Sequence, residues 1–364
     1  IQVSDADRNT DVNTAETVTV TVTSETSSAG EVTCTETGVS TGVFLGELGS
    51  GVSWVTTGDI VTATYIDPAN DFSVEQTLTD EAYYGMTQLS GSYTENTTWT
   101  VSESPYLVTG DVTFSEGVDL TIEAGVKVVF LATSDDQDGG QDQFRSEINL
   151  SGNLTAIGTV SDSIIFTSNR STPIAGDWYG IRLQAYGRDL NVQYARFEGF
   201  NQAFKIQGGG SWDASSWSDV PTTAVRNCVF RSGSSYVLDG GGWQSQNRSW
   251  LFKDNRIEST GGGIYTWDSS SPRFIVKNNN FVNVSSNLIH ASDIFQTTSN
   301  LDSNICVISN NTFGGYNLSN VYASTAIYVR PYSKSDNASH VRRIEIKNNN
   351  INGGGIFGNS DRGV

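Results

Sequence analysis

The chain has 364 residues, with 40 Asp and Glu against 21 Lys and Arg, and a formal charge of −19. That balance argues against a nucleic-acid partner, since phosphate binding needs a basic face, and it fits a solvated exterior working outside the cell. No apolar run approaches the roughly 20 residues of a membrane helix, and three cysteines form no complete disulfide set.

The opening residues, IQV, are already strand-like, and a start at Ile1 reads as a processed or excised segment of a longer precursor. DADRNTDVNTAE (5–16) then places Asp5, Asp7, Asn9, Asp11, Asn13 and Glu16 at positions 1, 3, 5, 7, 9 and 12 of an EF-hand-like loop. Calcium needs six to eight hard oxygens, and alternating carboxylates on a tight turn supply them. Thr10 stands where an EF-hand has glycine, so the expectation is a calcium loop of a β-domain, with a solvated acidic turn as the alternative. Asp67, Asn70 and Asp71 of DPAND could close the same site.

TVTVTVTS (17–24) alternates with the period of a half-buried strand, and no 3.6-residue apolar stripe occurs anywhere. The protein is expected to be all-β. DADRNTDVNTAETVTVTVTS, TCTETGVSTGVFLGEL and GDIVTATYIDP resemble an immunoglobulin-like β-sandwich repeat of large prokaryotic surface proteins. The resemblance implies an extracellular spacer, stalk or assembly module over residues 1–88.

From residue 89 the texture changes. YTENTTWTVSESPYLVTGDVTFSEGVDLTIEAGVKVVF, LSGNLTAIGTVSDSIIFTS and GDWYGIRL look like the first coils of right-handed parallel β-helix proteins of the pectate-lyase-like superfamily. That resemblance implies a β-helix over 89–364, a fold that carries lyases, hydrolases, adhesins and inert stalks alike. Within it, SDDQDGGQDQ (134–143) gathers Asp135, Asp136, Asp138 and Asp142 on a glycine-rich loop, either a second calcium loop or a flexible acidic insertion.

Internal repeats support the β-helix independently. VQYARF, VRNCVF, FKDNRI, VKNNNF, ISNNTF and IKNNNI place their last apolar residue at 197, 230, 257, 281, 313 and 351. Coils of that length stack at about 4.8 Å per rung. Phe230, Ile257, Phe281, Phe313 and Ile351 should form an inward ladder. Asn227, Asp254, Asn278, Asn310 and Asn348 should sit at a bend, where such residues tolerate left-handed backbone angles. A second repeated strand reads GIRL, AFKI, YVLD, GIYT, NLIH, AIYV and GIFG, and long loops leave directly after it. Its rim is the natural place for an activity.

Five of the eight tryptophans, Trp212, Trp217, Trp243, Trp250 and Trp267, lie near those loops. They read as loops folded back on the β-helix, as an assembly interface, or as platforms for sugar rings. Catalytic signals are few. Asp239 and Asp268 could pair as glycosidase carboxylates. Arg182, Lys205 and Arg330 share the rim strand without acidic neighbours in sequence, and His290 and His340 stand in unrelated contexts.

The expected function is therefore a secreted structural protein that forms or decorates a cell-surface filament, sheath or stalk, with structural calcium and a head-to-tail homo-oligomeric contact. The alternative is a polysaccharide-directed β-helix, either an adhesin or a lyase or hydrolase.

Overall fold

The computed structural model describes residues 1–24, 27–49, 55–68, 74–185, 187–209, 222–241, 248–267, 273–294, 304–314, 325–331, 342–352 and 355–358. The chain divides into two compact units, Ile1–Met86 and Thr87–Val364.

In the first unit the strands are β1 (Gln2–Ser4), β2 (Thr17–Ser24), β3 (Ser27–Glu36), β4 (Val43–Leu45), β5 (Ile60–Asp67) and β6 (Gln76–Tyr83). All six join one antiparallel sheet in the order β1-β4-β3-β2-β5-β6. The alternation of β2 decides its faces: Val18, Val20 and Val22 are buried with Val32, Cys34, Phe44 and Tyr65, while the intervening threonines face outward. The sheet curls, because Ile1 and Val3 at one edge and Leu78 at the other line one cavity of about 560 Å³.

The second unit is a parallel β-helix. Each coil lays one strand on each of three faces. Face 1 is the nine-stranded sheet, from Thr97–Trp99 to Arg342–Lys347. Faces 2 and 3 belong to one sixteen-stranded sheet, joined where long strands such as Val229–Gly241 and Arg256–Trp267 turn a corner. The corners have a local cause. Between faces 1 and 2, Asn227, Asp254, Asn278, Asn310 and Asn348 all take φ between 54° and 58°, and between faces 2 and 3 Ser232 and Ser259 take 52° and 53°. Asn and Asp enter this region at less cost than other side chains.

The expected inward ladder is present on face 2. Phe166, Phe197, Phe230, Ile257, Phe281, Phe313 and Ile351 pair in register from coil to coil. Phe166, Phe197 and Phe230 stack at centroid distances of 4.6 and 5.0 Å, and Phe281 and Phe313 at 5.0 Å. Burying each phenyl contributes about 1.5–3 kcal/mol.

A second ladder runs beside the bend, one residue further on. Asn255, Asn279 and Asn311 are 1–2 % exposed. The Nδ2 of each donates both to a carbonyl of the preceding coil and to the Oδ1 of the next asparagine, ending at Asn349. The same Oδ1 atoms accept the backbone N–H of the preceding coil's residue. The tripled amide of VKNNNF therefore has two structural members: Asn278 makes the turn and Asn279 ties the coils. Cys228 occupies the head of this ladder, buried and free, with burial pushing its thiol up to about 12.

Candidate functional site

Face 3 carries one continuous outward row. In register from coil to coil it reads Thr113, Asn149, Arg182, Lys205, Asp239, Tyr265, His290 and Tyr328. Their neighbours Ile181, Leu183, Phe204, Ile206, Leu238 and Ile264 point into the core, which fixes the outward direction. This register corrects the sequence reading in two rungs. Lys205 pairs with Asp239, not with Leu238, and Tyr265 pairs with His290, not with Ile289. Matching the tetrapeptides letter by letter slips both by one residue.

The row has two chemistries. At one end Lys205 Nζ lies 2.5 Å from Asp239 Oδ2, which also accepts from Gln202 Nε2 at 3.1 Å. Arg182 Nη1 donates to Glu147 Oε1 at 2.6 Å and to Asn149 Oδ1 at 3.1 Å. Asp111, one coil before Glu147, accepts the Glu147 backbone N–H at 3.0 Å through Oδ1. Arg182 thus has two acidic neighbours that its sequence context did not reveal, 71 and 35 positions away. Burial, and then the Glu147 carboxylate, push Asp111 up to about 7. Asp111, Glu147 and Arg182 are 5 %, 0 % and 7 % exposed, so this group anchors the loop above it more than it faces solvent.

At the other end the row is aromatic. Tyr236 stacks on Tyr265 at 5.0 Å, Tyr265 on His290 at 4.8 Å, and His290 on Tyr328 at 4.4 Å with only 13° between the planes. Tyr236 is in register with Gly262 and reaches Tyr265 by lying over it; a Cβ on Gly262 would meet the Tyr236 ring at 2.4 Å. The rings cover one another's faces, so the stack presents edges: tyrosine hydroxyls and imidazole nitrogens. Burial raises the Tyr265 hydroxyl, with Tyr236 and Asp239 adding to the effect. It therefore stays protonated as a hydrogen-bond donor at neutral pH.

The tryptophans separate. Trp250 belongs to a face 1 strand and is 3 % exposed, its ring filling the space that Gly240 leaves. It is a core residue, not part of a loop cluster. Trp267, at the end of a face 3 strand, is 40 % exposed. Trp212, Trp217 and Trp243 lie outside the described residues, as do Asp268 and His340.

Neither acidic loop gathers its carboxylates on one point. Asp5 Oδ1 accepts the N–H groups of Asp7 and Arg8, and Asp5 Oδ2 accepts the Tyr65 hydroxyl at 2.6 Å. Asp11 Oδ1 caps Asn13 N–H, and Glu16 holds Thr10 through its N–H and its hydroxyl. Asn9 Nδ2 donates to Ser40 Oγ, and Asp67 ends β5, two residues from Tyr65. Asn70 and Asp71 are outside the described residues. In the other loop Asp135 accepts the N–H groups of Asp111, Gln137 and Gly139, Asp136 accepts the Thr109 hydroxyl, and Asp142 pairs with Arg145. Asp138 makes its turn, with φ at 48°. Among the described residues no three His, Cys, Asp or Glu side chains are placed to hold a metal ion.

The family model for a pectate-lyase-like β-helix domain matches residues 91–201, the first coils of the second unit. No curated protein and no solved structure matches the chain.

Proposed function

We propose that this is an extracellular protein whose β-helix binds a polysaccharide along face 3, the glycan lying parallel to the coil axis. The observation that carries the reading is the in-register row from Arg182 to Tyr328. Successive coils rise by about 4.8 Å, close to the length of one sugar in an extended glycan, so each coil meets one sugar with a polar group. The edge-on stack Tyr265–His290–Tyr328 offers hydrogen bonds to sugar hydroxyls, and Lys205 with Asp239 offers charged ones, which are the stronger kind. The likeness of residues 91–201 to a pectate-lyase-like domain supports the same substrate class.

Binding is better supported than cleavage. The basic residue with acidic neighbours that a lyase needs is represented by Arg182, Glu147 and Asp111, and all three are buried. Residues 1–86, with their resemblance to an immunoglobulin-like repeat, fit a spacer that presents the right-handed β-helix away from a surface. Calcium at the 5–16 loop belongs to the same proposal and requires its carboxylates to exchange backbone partners for the ion.

Affinity electrophoresis through gels containing neutral or acidic polysaccharides tests the reading. Retardation by at least one polymer, weakened about tenfold or more in Tyr265→Ala/Tyr328→Ala, is expected. Unaltered mobility in every gel, or retardation indifferent to the double substitution, would overturn it.

A further inference from the structure

The outer surface of face 1 lines up cations from coil to coil in a chain that is acidic overall. Strand alternation puts Phe252, Val276 and Ile308 into the core, so the residues on either side of each point outward. One outward column runs Arg226, Lys253, Lys277, Ser309, Lys347 in register. Beside it runs the half-exposed apolar row Leu251, Ile275, Val307. Beyond that row stand Arg273 and Arg343.

Like charges directly opposite each other on neighbouring strands destabilise a sheet, yet Arg226, Lys253 and Lys277 face one another on three successive coils. Neutralisation within the chain is partial. Lys253 pairs with Asp254 at 2.9 Å, and Lys347 with Glu345 at 2.9 Å. Lys277 forms no ion pair among the described residues. Six cations, two anions and a central apolar row make a surface that favours an acidic partner with apolar groups of its own.

The chain contains such a partner. Residues 1–86 hold 14 Asp and Glu and a single basic residue, Arg8, which gives −13 of the total −19. Part of that charge is exposed along β6, which among the described strands pairs with β5 alone. There Leu78, 45 % exposed, and Asp80 stand on one face of the strand, and Glu81 stands on the other with Ile66, 54 % exposed. An exposed edge that carries carboxylates beside apolar side chains on both of its faces complements apolar groups flanked by ammonium and guanidinium.

We infer that the acidic first unit of one copy docks, through the β6 edge, on the basic outer surface of face 1 of a second copy. The two surfaces differ, so the contact is heterologous: each copy in a pair still has one unused surface of each kind, and the assembly extends. The inference concerns a different surface from the proposed glycan row and does not depend on it.

Sedimentation velocity on the full chain tests it. The wild type is expected to self-associate with rising concentration at low ionic strength, and to dissociate at about 0.5 M NaCl, where the Debye length is well below its 8 Å physiological value. Lys253→Glu/Lys277→Glu, which spoils only the basic surface, and Asp80→Lys/Glu81→Lys, which spoils only the acidic one, should each be monomeric. Mixed, they retain one good surface apiece, and should form one-to-one dimers that grow no further. Unchanged melting temperatures in both variants confirm that the changes remain at the surface. A wild type that stays monomeric at low salt, association insensitive to either reversal, or a mixture that stays monomeric would overturn the inference. Monomers whose basic surface instead retains an acidic polysaccharide, lost in Lys253→Glu/Lys277→Glu, would overturn it in favour of a glycan partner.

Discussion

Asn278 and Asn279 are chemically identical neighbours that should respond to substitution very differently. Asn279 is 1 % exposed. Its Nδ2 donates to Phe252 O and to Asn311 Oδ1, both at 3.0 Å, and its Oδ1 accepts from Asn255 N at 3.0 Å and Asn255 Nδ2 at 2.9 Å. Asn279→Ala leaves the Asn255 N–H and the Phe252 carbonyl buried without these partners. At about 1–3 kcal/mol for each unsatisfied group, and with some relaxation, the loss should be about 3–5 kcal/mol. Asn278 is exposed, and its bonds to Asp254 and Asn310 are open to water. What it supplies is φ at 58°, so Asn278→Ala should cost about 1–2 kcal/mol, and Asn278→Gly less. Urea denaturation followed by circular dichroism measures all three. Equal losses for the two alanine variants, or a loss under about 1 kcal/mol for Asn279→Ala, would refute the claim that the buried ladder ties the coils.

Other outcomes follow from the same geometry. Cys228→Asn should extend the ladder by a coil, since Cys228 Sγ already lies 3.9 Å from Val192 O, the position equivalent to the carbonyls the asparagines bind; a gain of about 1 kcal/mol, read as a higher urea midpoint, is expected, and a lower midpoint would count against it. Asp111 is shifted from 3.8 to about 7 on folding, so the folded chain holds this proton longer; its contribution is favourable at low pH and is lost as pH rises through that window. Asp111→Asn, which keeps an acceptor for Glu147 N–H, should flatten the fall in stability between those values, and an unchanged slope would discount the buried pair. For the calcium proposal, differential scanning calorimetry should show a higher melting temperature with millimolar calcium than with a chelator, the difference shrinking in Asp5→Asn/Asp11→Asn; identical melting curves would remove calcium from the account.

Much of the β-helix was legible because its signals are local. Strand alternation has a period of two residues, and a bend that needs positive φ selects Asn or Asp at the bend itself. The spacing of Phe230, Ile257, Phe281, Phe313 and Ile351 therefore located both the inward ladder and the corner beside it. The buried ladder was less visible: Asn255, Asn279 and Asn311 follow the bend residues directly, and nothing in NNN tells the turning amide from the bonding one.

What tertiary structure alone decided is register between coils and the partners that register creates. Loops of unequal length separate equivalent strands, so the pairing of Lys205 with Asp239 depends on how each loop returns to the stack. Asp111 and Glu147 reach Arg182 only because parallel coils bring residues tens of positions apart to within about 4.8 Å. Trp250 lies in the core because the coil before it offers Gly240, a vacancy that neither residue's own neighbourhood in the chain announces. Backbone geometry selects residues at single positions and leaves that selection in the sequence; packing between coils selects combinations, and those exist only once the chain has stacked.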